Sequence, residues 1–534
     1  MLRKRSLVLF SCYAALAWCQ KPVIFPGGVV NAASYGTTSY SWLPVGPGVN
    51  SGSIATIFGS NLAVSTRTAE AIPLPTMLAG TSVNVYGCIA PLFYVSPSQI
   101  NFQIPERPGE GTCVSPGPPG VVVSTALGAS DPYAIETMGA PGIFTRDASG
   151  CGQGAVLNVH ADGSVSANSP RNGVSPGEFI SVYGTGLGGP YVPYPPPDGM
   201  LTPMSPLIRS SNGGYLVLDF VSYPITNLYT DIWAGLAPGL IAVDQYNYRV
   251  PDAVREGCAV PLQASSYNGV SQPVTVSIRR GGGPCVDPPS AGYGQITWEK
   301  TVVIQPPSSS SETSDTLTVS LQSSPGKPLP APGGNPQGWI GPSCPVPGYR
   351  SLDAGAVTIQ GPGLGSVLAP LAPLQEGQVS GLSIYRAALP AGAIQPGPFS
   401  VRAGGGADVG AFQSGVNIGS EIHITTALAG RVIHITGPDV MIAWTGGDSG
   451  ELVTAWFVMH YGYADSSSYS TSAPASAGTL SFTPRVSNRE GAAELIVQVT
   501  PAAPQALSVP GLSLGGQHLW KYTYRYQGIS LIYP

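Results

Sequence analysis

Short runs of alternating apolar and polar residues recur along the chain, with glycine and proline between them. Ser53–Phe58 and Thr81–Tyr86 alternate at every second position, which is typical of half-buried β-strands. Leu92–Val95, Ile100–Ile104 and Val121–Thr125 continue the series, and turn residues separate them. The pattern therefore predicts a β-fold built from short strands.

The same pattern continues towards the C-terminus. A second series of predicted strands is Ala155–Val159, Phe179–Tyr183, Tyr215–Phe220, Ile241–Tyr248 and Val274–Ile278, with an Asp162-Gly163 hairpin turn after the first of them. A third series is Ala356–Ile359, Phe399–Val401, Ile422–Thr425, Val432–Ile435, Val440–Trp444, Leu452–His460, Thr479–Phe482 and Glu494–Val499. Charged residues are only 10% of the chain, so good helix formers are scarce. The predicted fold class is all-β.

Two landmarks occur twice, in the same order and with the same internal spacing. One has the form G-x6-G-x2-L and the other Q-x-N-x3-P. The repeated positions are Gly52, Gly59, Leu62, Gln99, Asn101 and Pro105 in the first copy, and Gly177, Gly184, Leu187, Gln245, Asn247 and Pro251 in the second. Because the order is conserved between the copies, the first half of the chain is predicted to contain a duplicated unit.

These features divide the chain into five segments. Residues 1–19 are predicted to be a signal peptide, residues 30–145 the first unit and residues 150–287 the second. Residues 348–534 are predicted to form a C-terminal β-sandwich. Residues 288–347 are assigned to a hairpin and a linker, because Pro306–Asp315 and Ser324–Gly338 have the Pro, Ser and Gly content of linkers. One interpretation of Ile296–Leu321 is a hairpin attached to the next domain.

The N-terminus has the composition of an export signal. Arg3, Lys4 and Arg5 precede the apolar run Ser6–Trp18, which is short for a membrane span. Cleavage is expected after Ala17 or after Cys19. No later segment is apolar enough to cross a membrane, so we expect an exported bacterial protein that is extracellular or held at the cell surface.

Removal of the signal changes the charge balance. It takes away three basic residues and leaves 20 Lys and Arg against 28 Asp and Glu, a net charge of −8. An acidic chain with no basic run is a poor ligand for nucleic acid or for anionic membranes. Gly 70 and Pro 55 are near a quarter of the chain, but a hydrophobic content of 43% argues against general disorder.

An even number of cysteines follows the signal, as expected for a disulfide-bonded exported protein. They are Cys88, Cys113, Cys151, Cys258, Cys285 and Cys344. We predict Cys88–Cys113 and Cys258–Cys285, each pair within one unit, which leaves Cys151 and Cys344 by elimination. None of the cysteines has the spacing of a metal site, and no metal or cofactor is predicted.

Two tyrosine-rich segments are candidates for a recognition surface. The second unit is 21 residues longer than the first between its landmarks, and the excess includes the predicted loop Tyr191–Gly199 with Tyr191 and Tyr194. Near the C-terminus, Tyr522, Tyr524 and Tyr526 alternate and are predicted to share one strand face. Such a strip can stack on sugar rings, although it is more often part of a core.

One segment resembles a protease motif. Gly447-Asp448-Ser449-Gly450 is similar to the nucleophile motif of chymotrypsin-like proteases, and His423, His434 and Asp439 precede it in the right order. All of them lie within 26 residues of Ser449, which is too close for a two-barrel fold. A turn between two strands explains the motif better, and no catalytic residue is predicted.

Several motifs resemble a known family. They are NAASY (31–35), GSIATIFGSNLA (52–63), LPTMLAGTSVNVYG (74–87), APLFYVSPSQINFQIP (90–105), PGIF (141–144), GEFISVYGTGLG (177–188) and AGLAPGLIAVDQYNYRVP (234–251). Together they resemble the Solibacter-type uncharacterised surface domain, and the G-x6-G-x2-L element resembles the opening of IPT/TIG immunoglobulin-like domains. AGAVTIQGPG (354–363), GGADVGAF (405–412) and IAWTGGD (442–448) are similar to a β-sandwich module of the same exported proteins. The resemblance implies tandem immunoglobulin-like sandwiches followed by a third sandwich, without an assigned activity.

The expected function is that of a non-catalytic recognition or adhesion protein, with an extracellular polysaccharide, matrix or surface protein as partner. One alternative is a structural spacer or envelope component without a soluble ligand. The other is a carbohydrate-active sandwich enzyme whose acids have no local signature.

Replacement of Ser449 by alanine is expected to leave thermal stability, binding and any hydrolytic activity of the purified protein unchanged, because a turn serine has no base to activate it. Unfolding curves and peptidase assays of the two proteins check this. A selective loss of hydrolysis in the variant would restore the protease hypothesis.

Overall fold

The computed structural model describes residues 21–36, 49–106, 119–135, 137, 141–189, 191–210, 214–219, 221–225, 232–266, 269–305, 311–326, 344, 347–348, 350–364, 384–426, 432–434, 439–461, 465–482 and 491–532. The predicted signal peptide lies outside these ranges. Their regular structure is β-strand, apart from two short 3₁₀ turns at Pro362–Leu364 and Ala475–Ala477. The prediction of an all-β fold is confirmed.

The first unit is a sandwich of two sheets. Its strands are β1 (Val23–Asn31), β2 (Ile54–Ser60), β3 (Arg67–Thr68), β4 (Ser82–Val85), β5 (Cys88–Ile89), β6 (Leu92–Val95), β7 (Gln99–Gln103), β8 (Val121–Thr125) and β9 (Gly128–Ala129). One sheet has the order β1-β2-β7-β6-β3 and the other β5-β4-β8-β9. Alternate side chains of both sheets, such as Ile57, Phe102 and Val123, form one buried core.

The second unit repeats this plan. Its strands are β10 (Gly142–Ile143), β11 (Gly152–Gln153), β12 (Val156–Val159), β13 (Val165–Ala167), β14 (Phe179–Thr185), β15 (Tyr191–Val192), β16 (Arg209–Ser210), β17 (Gly214–Leu218), β18 (Val221–Ile225), β19 (Ile232–Leu236), β20 (Asp244–Arg249), β21 (Gly257–Ser266), β22 (Gly269–Val270) and β23 (Val274–Ile278). The series β12-β14-β20-β19-β16 matches β1-β2-β7-β6-β3 of the first unit strand by strand. A second sheet, β11-β23-β21-β17-β18, closes the sandwich.

The two repeated landmarks lie on neighbouring strands that pair in the same register. Thr56 of β2 is opposite Asn101 of β7, and Ser181 of β14 is opposite Asn247 of β20. In each unit the hydroxyl donates to the asparagine Oδ1, at 3.1 Å from Thr56 and 2.8 Å from Ser181. The glutamine two residues before each asparagine donates to the same oxygen, at 2.9 Å in the first unit and 2.8 Å in the second. The landmarks therefore encode a strand pair and the polar contact that holds its register.

A third repeated element is too short to be identified from the sequence alone. Val29 of β1 is opposite Ile57, and Val156 of β12 is opposite Val182, so VVN (29–31) and VLN (156–158) occupy the same place. The asparagine that ends each run is buried. The strand begins at Val23, seven residues before the predicted start of the unit. Gly142–Ile143, predicted within the first unit, pairs with β14 of the second.

The C-terminal unit holds the remaining strands. They are β24 (Ser290–Ile304), β25 (Ser311–Pro325), β26 (Arg350–Ser351), β27 (Val357–Gln360), β28 (Ile384–Leu389), β29 (Gly397–Ala403), β30 (Phe412–Ile418), β31 (His423–Ile424), β32 (Val432–His434), β33 (Val440–Thr445), β34 (Glu451–Tyr461), β35 (Asp465–Pro474), β36 (Thr479–Phe482), β37 (Gly491–Pro501), β38 (Gln505–Leu507) and β39 (Gly516–Ile532). A large sheet, β26-β25-β24-β39-β37-β34-β35, packs against two small sheets, β27-β29-β30 and β31-β33-β36, around a single core.

This unit begins before its predicted start at residue 348, because the hairpin at Ile296–Leu321 is attached to it, as one interpretation of the sequence has it. The hairpin of β24 and β25, assigned to the connecting segment 288–347, pairs in parallel with the last strand β39 and contributes Trp298 and Leu317 to the core. Ser311–Asp315, predicted as linker from its serine content, is the start of β25. The linker prediction failed there because composition does not register strand pairing: Ser311–Asp315 pairs with β24, although only Asp315 of these five residues is buried.

Disulfides link segments both within and between units. Cys258 and Cys285 are bonded, as their spacing predicts, with an S–S distance of 2.06 Å. Cys151 is bonded to Cys344, which ties the second unit to the chain just before β26. Cys88 is also in a disulfide, and Cys113, its predicted partner, lies outside the described residues.

A fully buried histidine lies in the core of the C-terminal unit. Trp298 donates its indole N–H to Nε2 of His518 at 2.9 Å. A neutral imidazole then carries its proton on Nδ1, which donates to the hydroxyl of Ser414 at 2.7 Å. Burial lowers the pKa of His518 from 6.5 to about 4, so the ring stays neutral in the folded protein.

The stability of the C-terminal unit is expected to fall as the pH is lowered from about 6.5 towards 4. In this window the unfolded chain binds a proton at His518 that the folded core excludes, which removes about 3 kcal/mol when the shift is complete. Urea unfolding at several pH values measures this, with His518→Gln as a control whose side chain does not titrate. Equal pH slopes for the two proteins would contradict the assignment.

Candidate recognition surface at the junction of the first two units

A buried threonine joins the first two units. The hydroxyl of Thr185, at the end of β14, accepts the backbone N–H of Ile54 at 2.8 Å and donates to the carbonyl of Ala242 at 2.8 Å. The backbone carbonyl of Thr185 accepts the side-chain amide of Asn31 at 3.1 Å. One residue of the second unit thus connects β1 and β2 of the first to the loop before β20.

The proline-rich loop of the second unit is docked on the first. Gly199 donates its N–H to Oε1 of Gln103 at 2.7 Å and accepts the N–H of Leu74 at 2.9 Å. Below this contact, Leu74 packs with Ile241 and Ala242 in a small apolar cluster. The insertion predicted as a loop begins with strand β15, which pairs with β16, and its end is fixed by the first unit.

A buried acid supports the base of the loop. Asp244 accepts the N–H of Leu187 at 2.7 Å and the hydroxyl of Tyr191 at 3.0 Å. Burial raises the pKa of Asp244 to about 7, although these hydrogen bonds lower it in part. Burial and the neighbouring Asp244 carboxyl raise the pKa of Tyr191 well above 10. Tyr191 is therefore a support of the loop and does not face solvent.

Two further acidic residues, Glu106 of the first unit and Asp198 of the loop, meet at the junction and leave little space. Glu106 donates its N–H to Asp198 at 3.2 Å, and burial raises the pKa of the Asp198 carboxyl. The cavity that Glu106, Tyr191 and Asp198 line has a volume of about 20 Å³, which is room for about one water. Among the described residues, no group of three or more His, Cys, Asp or Glu side chains could hold a metal ion.

Large apolar side chains are exposed around this loop. We define the junction surface by nine exposed residues, Ile72, Met77, Val192, Tyr194, Met200, Leu201, Met204, Leu207 and Leu240. Tyr194 and Met204 are 77% and 74% exposed. Backbone hydrogen bonds connect the segments that carry them, from Leu74 to Gly199 and between Thr202 and the turn at Gly239 and Leu240. Soluble proteins rarely expose apolar side chains in such a group unless it is an interaction site.

The prediction of a second aromatic recognition surface, on β39, is wrong. Tyr522, Tyr524 and Tyr526 share one face of β39, as their alternation predicts, but that face points into the core and all three are buried. The hydroxyls of Tyr522 and Tyr524 donate to the carbonyls of Gly419 and Ile422 at 3.0 Å. Sequence alternation identifies the shared face and leaves open whether a second sheet covers it.

The protease-like motif lies in the turn between β33 and β34. Ser449 is exposed in this turn, and His423 lies on the neighbouring strand β31 opposite Thr445. Asp439 is exposed, and the side chain of His434 is outside the described part of the structure.

A larger groove of about 470 Å³ lies in the C-terminal unit. Its lining includes Arg350, Asp408 and the serines Ser290, Ser323 and Ser513. Arg350 donates to Oδ1 of Asp408 at 2.7 Å, so the two charges bind each other.

No protein-family model matches this sequence, and no curated protein matches it. Among solved structures, the FN1–FN3 domains of chicken CNTN1 align with 73% of this chain and 100% of their own, at 8% identity and a TM-score of 0.15. The N-terminal eight Ig domains of an isoform of Down Syndrome Cell Adhesion Molecule align with 90% of this chain and 56% of their own, at 9% identity and a TM-score of 0.13. With TM-scores this low, neither similarity supports an inference about this chain. No helix among the described residues is long and apolar enough to cross a membrane.

Replacement of Thr185 by valine is expected to reduce the free energy of unfolding by about 2 kcal/mol, because the N–H of Ile54 and the carbonyl of Ala242 both lose their partner. Thr185→Ser keeps both hydrogen bonds and is the matched control. Urea unfolding of the three proteins checks this, and a loss in Thr185→Ser without a loss in Thr185→Val would show that the methyl group and not the hydroxyl stabilises the junction.

Proposed function

We propose that this chain is an exported, non-catalytic recognition protein that binds a protein partner at the cell surface or in the extracellular matrix through the junction surface. The observation that carries the proposal is the group of exposed apolar side chains at the docked loop. Apolar contacts of this kind supply the central part of protein–protein interfaces.

The composition of the surface favours a protein over a polysaccharide. Sugar-binding surfaces use aromatic rings that stack on the sugar, and Tyr194 is the single aromatic residue among the nine. The others are aliphatic or methionine side chains, and methionine adapts to irregular apolar surfaces. Burial of the Tyr522 strip removes the main sequence argument for a polysaccharide partner.

The loop is already held in place in the free protein, which favours tight binding of a partner. Hydrogen bonds from Gly199 and Tyr191 hold both ends of the loop, so little conformational freedom remains to be lost when a partner binds. The disulfides are consistent with an oxidising, extracellular compartment. The sequence motifs that resemble an exported surface domain support the same proposal.

Replacement of Met204 by glutamate is expected to weaken binding at least tenfold, because it places a charge within an apolar contact. The purified protein is tested for retention on immobilised fibrinogen, gelatin and other matrix proteins, and on cellulose and chitin with assay of released sugar. Met441→Glu is the matched control, since Met441 is 58% exposed but belongs to the C-terminal unit.

Retention on a protein that is lost in Met204→Glu and kept in Met441→Glu would support the proposal. Retention on a polysaccharide that Met204→Glu does not change would contradict it. Release of sugar would establish the enzymatic alternative, and no retention on any probe would favour a structural spacer.

A further inference from the structure

Three side chains from neighbouring strands lie in a row on the inner face of the large C-terminal sheet. Lys300 of β24 is directly opposite Asp315 of β25 in the antiparallel register and opposite Tyr522 of β39 in the parallel register. Lys300 is two residues from Trp298, and Asp315 is two residues from Leu317, both fully buried. Since alternate residues of a strand share a face, the lysine and the aspartate point towards the core.

A second carboxylate reaches the lysine from the facing side of the sandwich. Nζ of Lys300 is 2.6 Å from Oε1 of Glu421, which follows β30. The side chains of Lys300 and Glu421 are 13% and 34% exposed. This ion pair places a proton acceptor beside the lysine ammonium at the edge of the core.

The aspartate is buried and incompletely bonded. Asp315 is 1% exposed, and its Oδ2 accepts the N–H of Ile394 at 2.8 Å. Its Oδ1 is buried with no hydrogen-bond partner among the described residues. Burial raises the pKa of Asp315, while the nearby Lys300 lowers it and Glu421 raises it, so the neutral acid is favoured relative to a solvated aspartate. A neutral carboxylic acid is the form that an amine can attack.

We propose that Lys300 and Asp315 become joined by an intramolecular amide bond, with Glu421 as the group that transfers the protons. Glu421 takes a proton from the Lys300 ammonium, and the free amine then attacks Cγ of the protonated Asp315. The new N–C bond forms, the C–O bond to the acid hydroxyl breaks, and Glu421 returns the proton that lets this oxygen leave as water. Overall, an ammonium and a carboxylic acid give an amide, one water and one proton, without an oxidant or cofactor.

The fold supplies what this condensation needs. Residues directly opposite in an antiparallel pair have Cα atoms about 5 Å apart, and the flexible lysine side chain can turn from Glu421 to Asp315. Two groups held in contact react with an effective concentration far above that of free amine and acid. The product replaces a lysine charge and an unsatisfied carboxyl in the core by a neutral amide.

Mass spectrometry of the purified full chain tests the proposal. The intact mass is expected to be lower by one water, beyond the hydrogens lost to disulfides. After reduction, alkylation and trypsin, a single peptide from Gly281 to Arg350 should contain uncleaved Lys300 and give no backbone fragments between residues 300 and 315.

Three variants distinguish loss of the cross-linking reaction from loss of the fold. Lys300→Arg and Glu421→Gln should both abolish the loss of water, and Glu421→Gln should become fully cleavable after Lys300 while it unfolds cooperatively at a lower temperature. Lys521→Arg is the matched control, because Lys521 makes a similar ion pair, 3.1 Å from Glu299, on the outer face of the same strands. That variant should keep the loss of water.

Three results would overturn the proposal. They are a wild-type mass without the loss of water, a loss that persists in Lys300→Arg, and a cross-linked peptide that contains Glu421 in place of Asp315. Because the cross-link lies in the C-terminal unit, each of these outcomes is independent of whether the junction surface binds a partner.

Discussion

The arrangement of the first two units depends on the hydroxyl of Thr185. It accepts a hydrogen bond from Ile54 of the first unit and donates one to Ala242 of the second, in a place where water cannot replace either partner. The proline-rich loop, held by Gln103 and Leu74, then lies across both units. This contact and the docked loop together hold the two sandwiches that carry the junction surface, so recognition is proposed as a property of the pair and not of either unit alone.

Within each unit one strand pair is marked by two hydrogen bonds to a shared asparagine oxygen. Oδ1 of Asn101 and Oδ1 of Asn247 each accept hydrogen bonds from a hydroxyl on the partner strand and from a nearby glutamine. A slip of one residue would turn the apolar positions of the strand to the other face, and it would also break these bonds. Polar residues therefore specify the register that the apolar residues then stabilise.

In the C-terminal unit, several polar and ionisable side chains lie inside the core. It buries His518, Asp315 and four tyrosines in its core. His518, Tyr522 and Tyr524 each find a carbonyl, a hydroxyl or an indole N–H as partner. Asp315, near the Lys300–Glu421 ion pair, has one buried oxygen without a hydrogen-bond partner among the described residues. An unsatisfied carboxyl is costly in a core, and the proposed amide would remove that cost.

The sequence by itself determined the all-β class, the duplication, most strands and the Cys258–Cys285 pair, because period-two alternation, turn residues and short spacing are local properties. It could not determine which faces are covered: Tyr522 and Tyr194 are both predicted as candidate recognition residues, yet the first is buried under a facing sheet and the second is 77% exposed. Nor could it reveal the role of Thr185, the place of β24 in the final sheet, or the approach of Glu421 to Lys300. Each of these joins residues distant in the chain, and only the packing of complete sheets brings them together.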